Sequence, residues 1–155
     1  MGRVKIFRLA VIALFLLLIR QYVLQPFRVF GISMEPVYRD GSIILVDKLV
    51  YRFRTPRRGE IVVFRTQDAP YLYFVKRVIA LPQEQVEMKD GTLFINGRKT
   101  EEKYFSGQNG WNIEPFTVRK ECVFVIGDNR SMPEDFHLFT QVAIKNIVGR
   151  VPGGR

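Results

Sequence analysis

Apolar positions follow two different patterns along this chain. Leu9 to Ile19 is an unbroken apolar run of 11 residues. It is shorter than the ~20 residues that a membrane-spanning helix usually needs. Phe7, Tyr22, Val23 and Leu24 extend its apolar character on both sides, and Arg8 and Arg20 are placed to snorkel toward opposite headgroup layers. Pro26 marks the expected helix end. The pattern therefore predicts a membrane anchor over residues 1–26. Beyond it the apolar positions come in short, β-branched and aromatic segments: Ser42–Tyr51, Glu60–Arg65, Tyr71–Ala80, Gln85–Met88, Thr92–Asn96, Cys122–Ile126 and Ile147–Val151. Asp90-Gly91 is a hairpin signal and Asn96-Gly97 a second turn. No helical stripe follows residue 30, and residues 98–117, with Trp111 among them, read as a polar surface excursion. The expected fold is mostly β, an antiparallel and partly barrel-like domain over 27–155, with one N-terminal transmembrane helix.

Charge sharpens the N-terminal reading. The net charge is +9, but residues 1–34 carry Arg3, Lys5, Arg8, Arg20 and Arg28 with no acid, leaving 19 basic and 15 acidic residues over the rest. Basic residues beside an apolar run favour anionic lipid headgroups. A nucleic-acid module is disfavoured, because the aromatics fall in strand patterns and the charge excess lies by the anchor. A cleavable secretory signal is the rival reading of the same segment. Its n-region and h-region lengths fit, but no small-x-small site follows, only Arg20, Gln21, Tyr22 and Val23. Arg3, Lys5 and Arg8 favour an inside N-terminus and so an outward-facing domain.

Ser33 lies in Phe30-Gly31-Ile32-Ser33-Met34-Glu35-Pro36, directly after the anchor. Pro36 restricts Glu35 to extended backbone, and Gly31 permits close backbone approach. A serine held this way is a candidate loop nucleophile, although most serines do no chemistry. Lys76 is more telling. Period-two alternation in Tyr73–Ala80 places it on the face of Phe74, Val78 and Ala80. A lysine on an apolar face is either paired with a carboxylate, turned to water at a strand edge, or desolvated so that its pKa falls and the amine becomes a base. Spacing alone leaves these readings open. The only histidine, His137, sits in a polar stretch beside Asp135, and nothing local supports a triad built on it. The only cysteine, Cys122, reads as a small core residue. One histidine and one cysteine leave no zinc set, and no cofactor is called for.

Four blocks in order resemble the bacterial type I signal peptidase family, whose members are Ser-Lys dyad serine proteases. They are Gln25-Pro26-Phe27-Arg28-Val29; Gly31-Ile32-Ser33-Met34-Glu35-Pro36, similar to the Ser-Met-x-Pro box; Lys76-Arg77-Val78-Ile79-Ala80-Leu81-Pro82, similar to Lys-Arg-Val-Ile-Gly-Leu-Pro; and Gly127-Asp128-Asn129-Arg130, with Asn146–Arg150 downstream. The resemblance implies that Ser33 attacks the scissile carbonyl, Lys76 takes its proton and the Ser33 backbone N–H holds the oxyanion. Gly127, Asp128 and Asn129 would support the site, with Arg77 and Asp135 paired near the lysine. The implied substrates are signal peptides of exported precursors, bound as an added strand. The implied setting is a single-pass protein of the cell membrane, in contact with its lipids, with a β-rich catalytic domain on the extracytoplasmic face.

The fourth block departs from the pattern. Pro133 stands where a serine usually hydrogen-bonds the catalytic lysine, Phe136-His137 replace Ser-Arg, and Val37 stands where Thr is common. Gly31 leaves out the side-chain oxyanion donor that some members place two residues before the nucleophile. These departures are the support for a second reading, a tethered homologue that binds export substrates without cutting them. A self-cleaving repressor-type Ser-Lys protease would need a DNA-binding domain, for which residues 1–30 are too short and apolar.

Overall fold

The computed structural model describes residues 2–66, 69–104, 110–133 and 139–153. Asp135, Phe136 and His137 lie outside these residues. Helix α1 spans Gly2–Tyr22. Its described apolar side chains, from Ile6 through Leu17, face outward all round the axis. Among the described residues no helix is long and apolar enough to cross a membrane. The physical reason is that Arg3, Lys5 and Arg8 all fall in the first two turns of α1. The helix also stops four residues short of Pro26, and Leu24, expected to extend it, already belongs to the first strand.

That strand, β1 (Leu24–Arg28), opens a seven-stranded antiparallel sheet with β2 (Ile43–Asp47), β3 (Ile61–Phe64), β4 (Phe74–Ala80), β9 (Cys122–Ile126), β10 (Thr140–Ala143) and β11 (Ile147–Val151). Their order across the sheet is β1-β2-β11-β3-β4-β9-β10. Pro26 is tolerated because β1 is an edge strand, where a missing N–H costs no ladder bond. A second antiparallel sheet, ordered β7-β6-β5-β8, contains β5 (Gln85–Lys89), β6 (Thr92–Ile95), β7 (Arg98–Lys99) and β8 (Ile113–Thr117). Asp90-Gly91 closes the β5–β6 hairpin, as the sequence predicts, with both residues at positive φ. Neither sheet closes on itself among the described residues, so the barrel-like expectation gives way to two open antiparallel sheets. The only helical turns after α1 among those residues are α2 (Val50–Phe53), which takes the last two residues of the expected strand Ser42–Tyr51, and a 3-10 turn at Ile144–Asn146.

The large sheet buries both faces. Ile61 and Val63 join Val29, Met34, Ile44 and Val46 on one side, and Val62 and Phe64 join Val78, Val123 and Val125 on the other. Continuous runs such as Ile61–Phe64 and Cys122–Ile126 are what a strand covered on both faces requires. The third cluster lies between the sheets and holds Ile79, Met88, Trp111, Phe124 and Cys122. Trp111 is only 3% exposed, and β8 begins two residues after it. The segment read as a surface excursion is therefore partly core. Gly149 fits where β11 crosses β2, since a Cβ there would come within 2.3 Å of the Asp47 carbonyl oxygen.

Candidate active site

The strongest chemistry lies where β4 and β9 run side by side. Arg77 pairs with Ile126 across the ladder, and the chain leaving β9 becomes Gly127–Arg130. Lys76 and Arg77 are consecutive and both buried, at 3% and 1% exposure, yet their surroundings differ completely. The Arg77 guanidinium donates from Nε to Asp128 Oδ1 at 2.8 Å, from Nη2 to Asp128 Oδ2 at 2.6 Å and from Nη1 to the Gly59 carbonyl at 2.7 Å. The Tyr104 ring lies 4.0 Å from its Cζ. This is a two-pronged, fully desolvated ion pair.

Lys76 points to the other face of β4. Register places it opposite Val62, between Phe74 and Val78, all of one apolar cluster. A register shift between Val78 and Ala80 takes Ala80 out of that face into the inter-sheet core, a departure from simple alternation. Among the described residues Lys76 makes no ion pair or hydrogen bond. Burial disfavours its charged form and draws its pKa down to about 8, while the negative charge of Asp128 partly opposes the fall.

Ser33 is half-buried in the turn-rich segment between β1 and β2. Gly31 there adopts φ +88° and donates its N–H to Asp40 Oδ1 at 2.8 Å. Nothing lies within 4 Å of a Cβ built on Gly31. Its need for glycine is therefore conformational rather than steric. Met34, 1% exposed, plugs the segment into the core beside Val29 and Ile44. Asn129 clamps it from the other side: its backbone N–H donates to the Ser33 carbonyl at 3.1 Å and its Nδ2 to the Ile32 carbonyl at 3.1 Å. Burial raises the Tyr38 pKa, with Arg77 and Asp128 close enough to act on it as well.

The structure thus joins the Ser33 segment, Arg77 and Gly127–Asn129 by direct hydrogen bonds. Lys76 joins them through its strand neighbour and the field of Asp128. No hydrogen bond links the Ser33 hydroxyl to the Lys76 amine. Within the described residues Asp128 binds Arg77, and the pairing with Asp135 that the resemblance implies lies outside them. The Ser131 hydroxyl donates to Asn129 Oδ1 at 2.5 Å.

Sequence reasoning missed a brace behind this cluster. Arg130 donates to the Gly127 carbonyl at 2.9 Å and to Glu102 at 2.5 and 3.3 Å, both side chains being about 5% exposed. The Trp111 indole N–H donates to the Met132 carbonyl at 3.1 Å. A tryptophan in an otherwise polar stretch was the available signal, since so large an apolar ring is seldom left in water.

Comparison with known proteins gives the class. The family described as signal peptidase, peptidase S26, matches residues 3–152, and the chain belongs to that family. It is 33% identical over 137 residues to a probable signal peptidase I-2 of Synechocystis sp., covering 85% of this chain and 63% of that protein. It is 33% identical over 145 residues to signal peptidase I V of Bacillus subtilis, covering 84% of this chain and 85% of that protein. It is 40% identical over 124 residues to signal peptidase I of Bacillus amyloliquefaciens, covering 74% and 64%. The chain thus spans slightly less than two thirds of the Synechocystis and B. amyloliquefaciens proteins. The crystal structure of a signal peptidase I from Enterococcus faecalis superposes with a TM-score of 0.50 at 29% identity, covering 63% of this chain and 97% of that one.

Proposed function

We propose that this chain is a membrane-bound serine endopeptidase that removes N-terminal signal peptides from exported precursor proteins, with Ser33 as nucleophile and Lys76 as general base. One observation carries the reading. Lys76 is a buried amine with no carboxylate partner among the described residues, and its pKa is drawn down to about 8. A structural ion pair would need a partner, and a base near neutral pH needs the lowered pKa. The neutral amine takes the Ser33 hydroxyl proton as Oγ attacks the scissile carbonyl. The Ser33 backbone N–H stabilises the oxyanion. The protonated amine then gives its proton to the leaving peptide amine, and water releases the acyl group by the reverse sequence. Asn129 fixes the Ser33 backbone, and Asp128 holds Arg77. Catalytic hydrogen bonds are often long before substrate binds, so the unmade Ser33–Lys76 bond fits a resting enzyme.

Residues 1–26 act as a retained single-pass anchor and residues 27–155 as the extracytoplasmic domain. The 21 residues of α1 measure about 31 Å, close to a hydrocarbon core. Lys5 and Arg8 snorkel toward one headgroup layer, and Leu9–Ile19, about 16 Å long, crosses the middle of the core. The test incubates detergent-solubilised protein with a precursor bearing an Ala-x-Ala site. Wild-type protein cleaves after that site, and Ser33→Ala loses on the order of 10⁶ in turnover while melting normally. Near-normal cleavage by Ser33→Ala removes the nucleophile assignment. Precursor binding without cleavage by the wild type favours the tethered binder.

A further inference from the structure

Among the described residues every buried or half-buried arginine has a carboxylate: Arg54, Arg58, Arg77, Arg130 and Arg150. A group of cations that gather at one cleft, half-buried Lys48 with exposed Arg52, Arg65 and Lys145, does not. Two adjoining cavities, of about 590 and 810 Å³, share Arg65, Ile144, Lys145 and Asn146. The smaller is also lined by Lys48 and Arg52, and by Gln21 and Tyr22 at the end of α1, and among the described residues no carboxylate lines it. The larger adds Arg119 and Lys120 against a single acid, Glu121. Among the described residues Arg52 and Lys145 have no ion pair, and the Arg65 guanidinium faces only the Tyr73 ring, 5.6 Å away. Lys48 donates to the Gln21 carbonyl at 2.7 Å and to Gln25 Oε1 at 3.2 Å, which leaves its charge uncompensated. The nearby Asp47 carboxylate accepts the N–H groups of Leu49 and Val50 on Oδ1 and faces Arg150 from Oδ2 at 3.9 Å. Four cations around one cleft repel one another, and an anion seated there relieves all of them.

The geometry points to a binding site for the phosphate of an anionic phospholipid headgroup, formed by Lys48, Arg52, Arg65 and Lys145. The lipid source follows from position, and this step rests on the membrane anchoring proposed above. The cleft opens at the end of α1 where Arg20 terminates the apolar run. Phe53, Tyr71 and Leu72, each within two residues of the lining Arg52 or Tyr73 along the chain, are 84%, 91% and 59% exposed. Aromatic side chains beside unpaired cations are the composition that settles at headgroup depth. A site there would hold the catalytic domain at a fixed tilt against the lipid surface.

The experiment uses the full chain in neutral-detergent micelles. Short-chain phosphatidylglycerol, short-chain phosphatidylcholine and inorganic phosphate are titrated separately by calorimetry. Phosphatidylglycerol binds saturably and phosphatidylcholine does not. Arg65→Gln and Lys145→Gln each weaken the binding about fivefold. Arg98→Gln, an equal charge change on exposed β7, leaves it unaltered. Precursor cleavage without added lipid serves as the folding control. Equal losses from Arg98→Gln and the cleft variants would reduce the effect to diffuse charge and overturn the site. So would inorganic phosphate matching phosphatidylglycerol in affinity, or no preference over phosphatidylcholine. Failure of the anchor reading is seen separately, as failure of the chain to float with pure phosphatidylcholine vesicles.

Discussion

The two faces of strand β4 carry consecutive cations treated in opposite ways. Arg77 is matched on every side by two carboxylate oxygens, a carbonyl and an aromatic ring. Lys76, one residue earlier and equally buried, faces Val62, Phe74 and Val78 with no counter-charge among the described residues. Arginine cannot shed its proton in a protein, so burying it obliges the fold to supply partners. Lysine can, so burying it unpartnered turns a desolvation cost into basicity. Asp128 serves both faces, since it binds Arg77 and, from further off, limits how far the Lys76 pKa falls.

The sharpest way to break this comparison is Lys76→Met. Cleavage of an Ala-x-Ala precursor should fall by several orders of magnitude, up to ~10⁶. Melting temperature should hold or rise, because a buried amine is replaced by a thioether of similar length. An active but destabilised Lys76→Met protein would mean that Lys76 is structural. Next in size is Arg77→Met, which strands the Asp128 carboxylate. Stability should drop by about 3–5 kcal/mol in urea titrations. A loss under 1 kcal/mol would mean that the pair merely breaks even.

The pH dependence follows from the lowered Lys76 pKa. Between about 8 and its ordinary 10.5 the unfolded chain holds a proton that the folded chain has lost. Stability from this group therefore rises with pH across that window, by about 3 kcal/mol, and the rise is absent in Lys76→Met. Precursor cleavage should climb in parallel as pH passes about 8, where the neutral amine becomes the major form. A flat cleavage profile from pH 7 to 9 would contradict a base with this pKa. The smallest effect tests the brace behind the site. Trp111→Phe keeps the apolar body but removes the N–H donated to Met132, at a cost of about 1 kcal/mol. Cleavage should fall more than stability does, since the 127–132 segment loses its support. Unchanged kinetics would confine Trp111 to packing.

Several of these features were legible before any coordinates. Alternation in Tyr73–Ala80 suffices to put Lys76 on an apolar face, because a period of two is a local property. The runs Ile61–Phe64 and Cys122–Ile126 declare themselves by β-branched content. What stayed hidden is tertiary. Leu24–Arg28 does not read as a strand, since Pro26 signals a break, and only its edge position makes the proline harmless. The choice of Asp128 as the Arg77 carboxylate spans 51 residues and depends on how β9 ends beside β4. The brace from Glu102 to Arg130 crosses between segments that share no local pattern. The end of α1 at Tyr22 was equally unmarked, because Val23 and Leu24 are as apolar as the residues before them.

Lys76 rides on the fifth strand of seven, with β3 on one side and β9 on the other. Amides in such a strand open to solvent only when the whole sheet comes apart, so the Lys76 backbone should rank among the slowest to exchange for deuterium. Ser33, by contrast, sits in a turn whose own amide can exchange by local opening. On the mechanism proposed above, the two reacting groups would then differ in the lifetimes of their surroundings: Lys76 would be held for as long as the protein is folded, and the Ser33 hydroxyl could be repositioned without disturbing it.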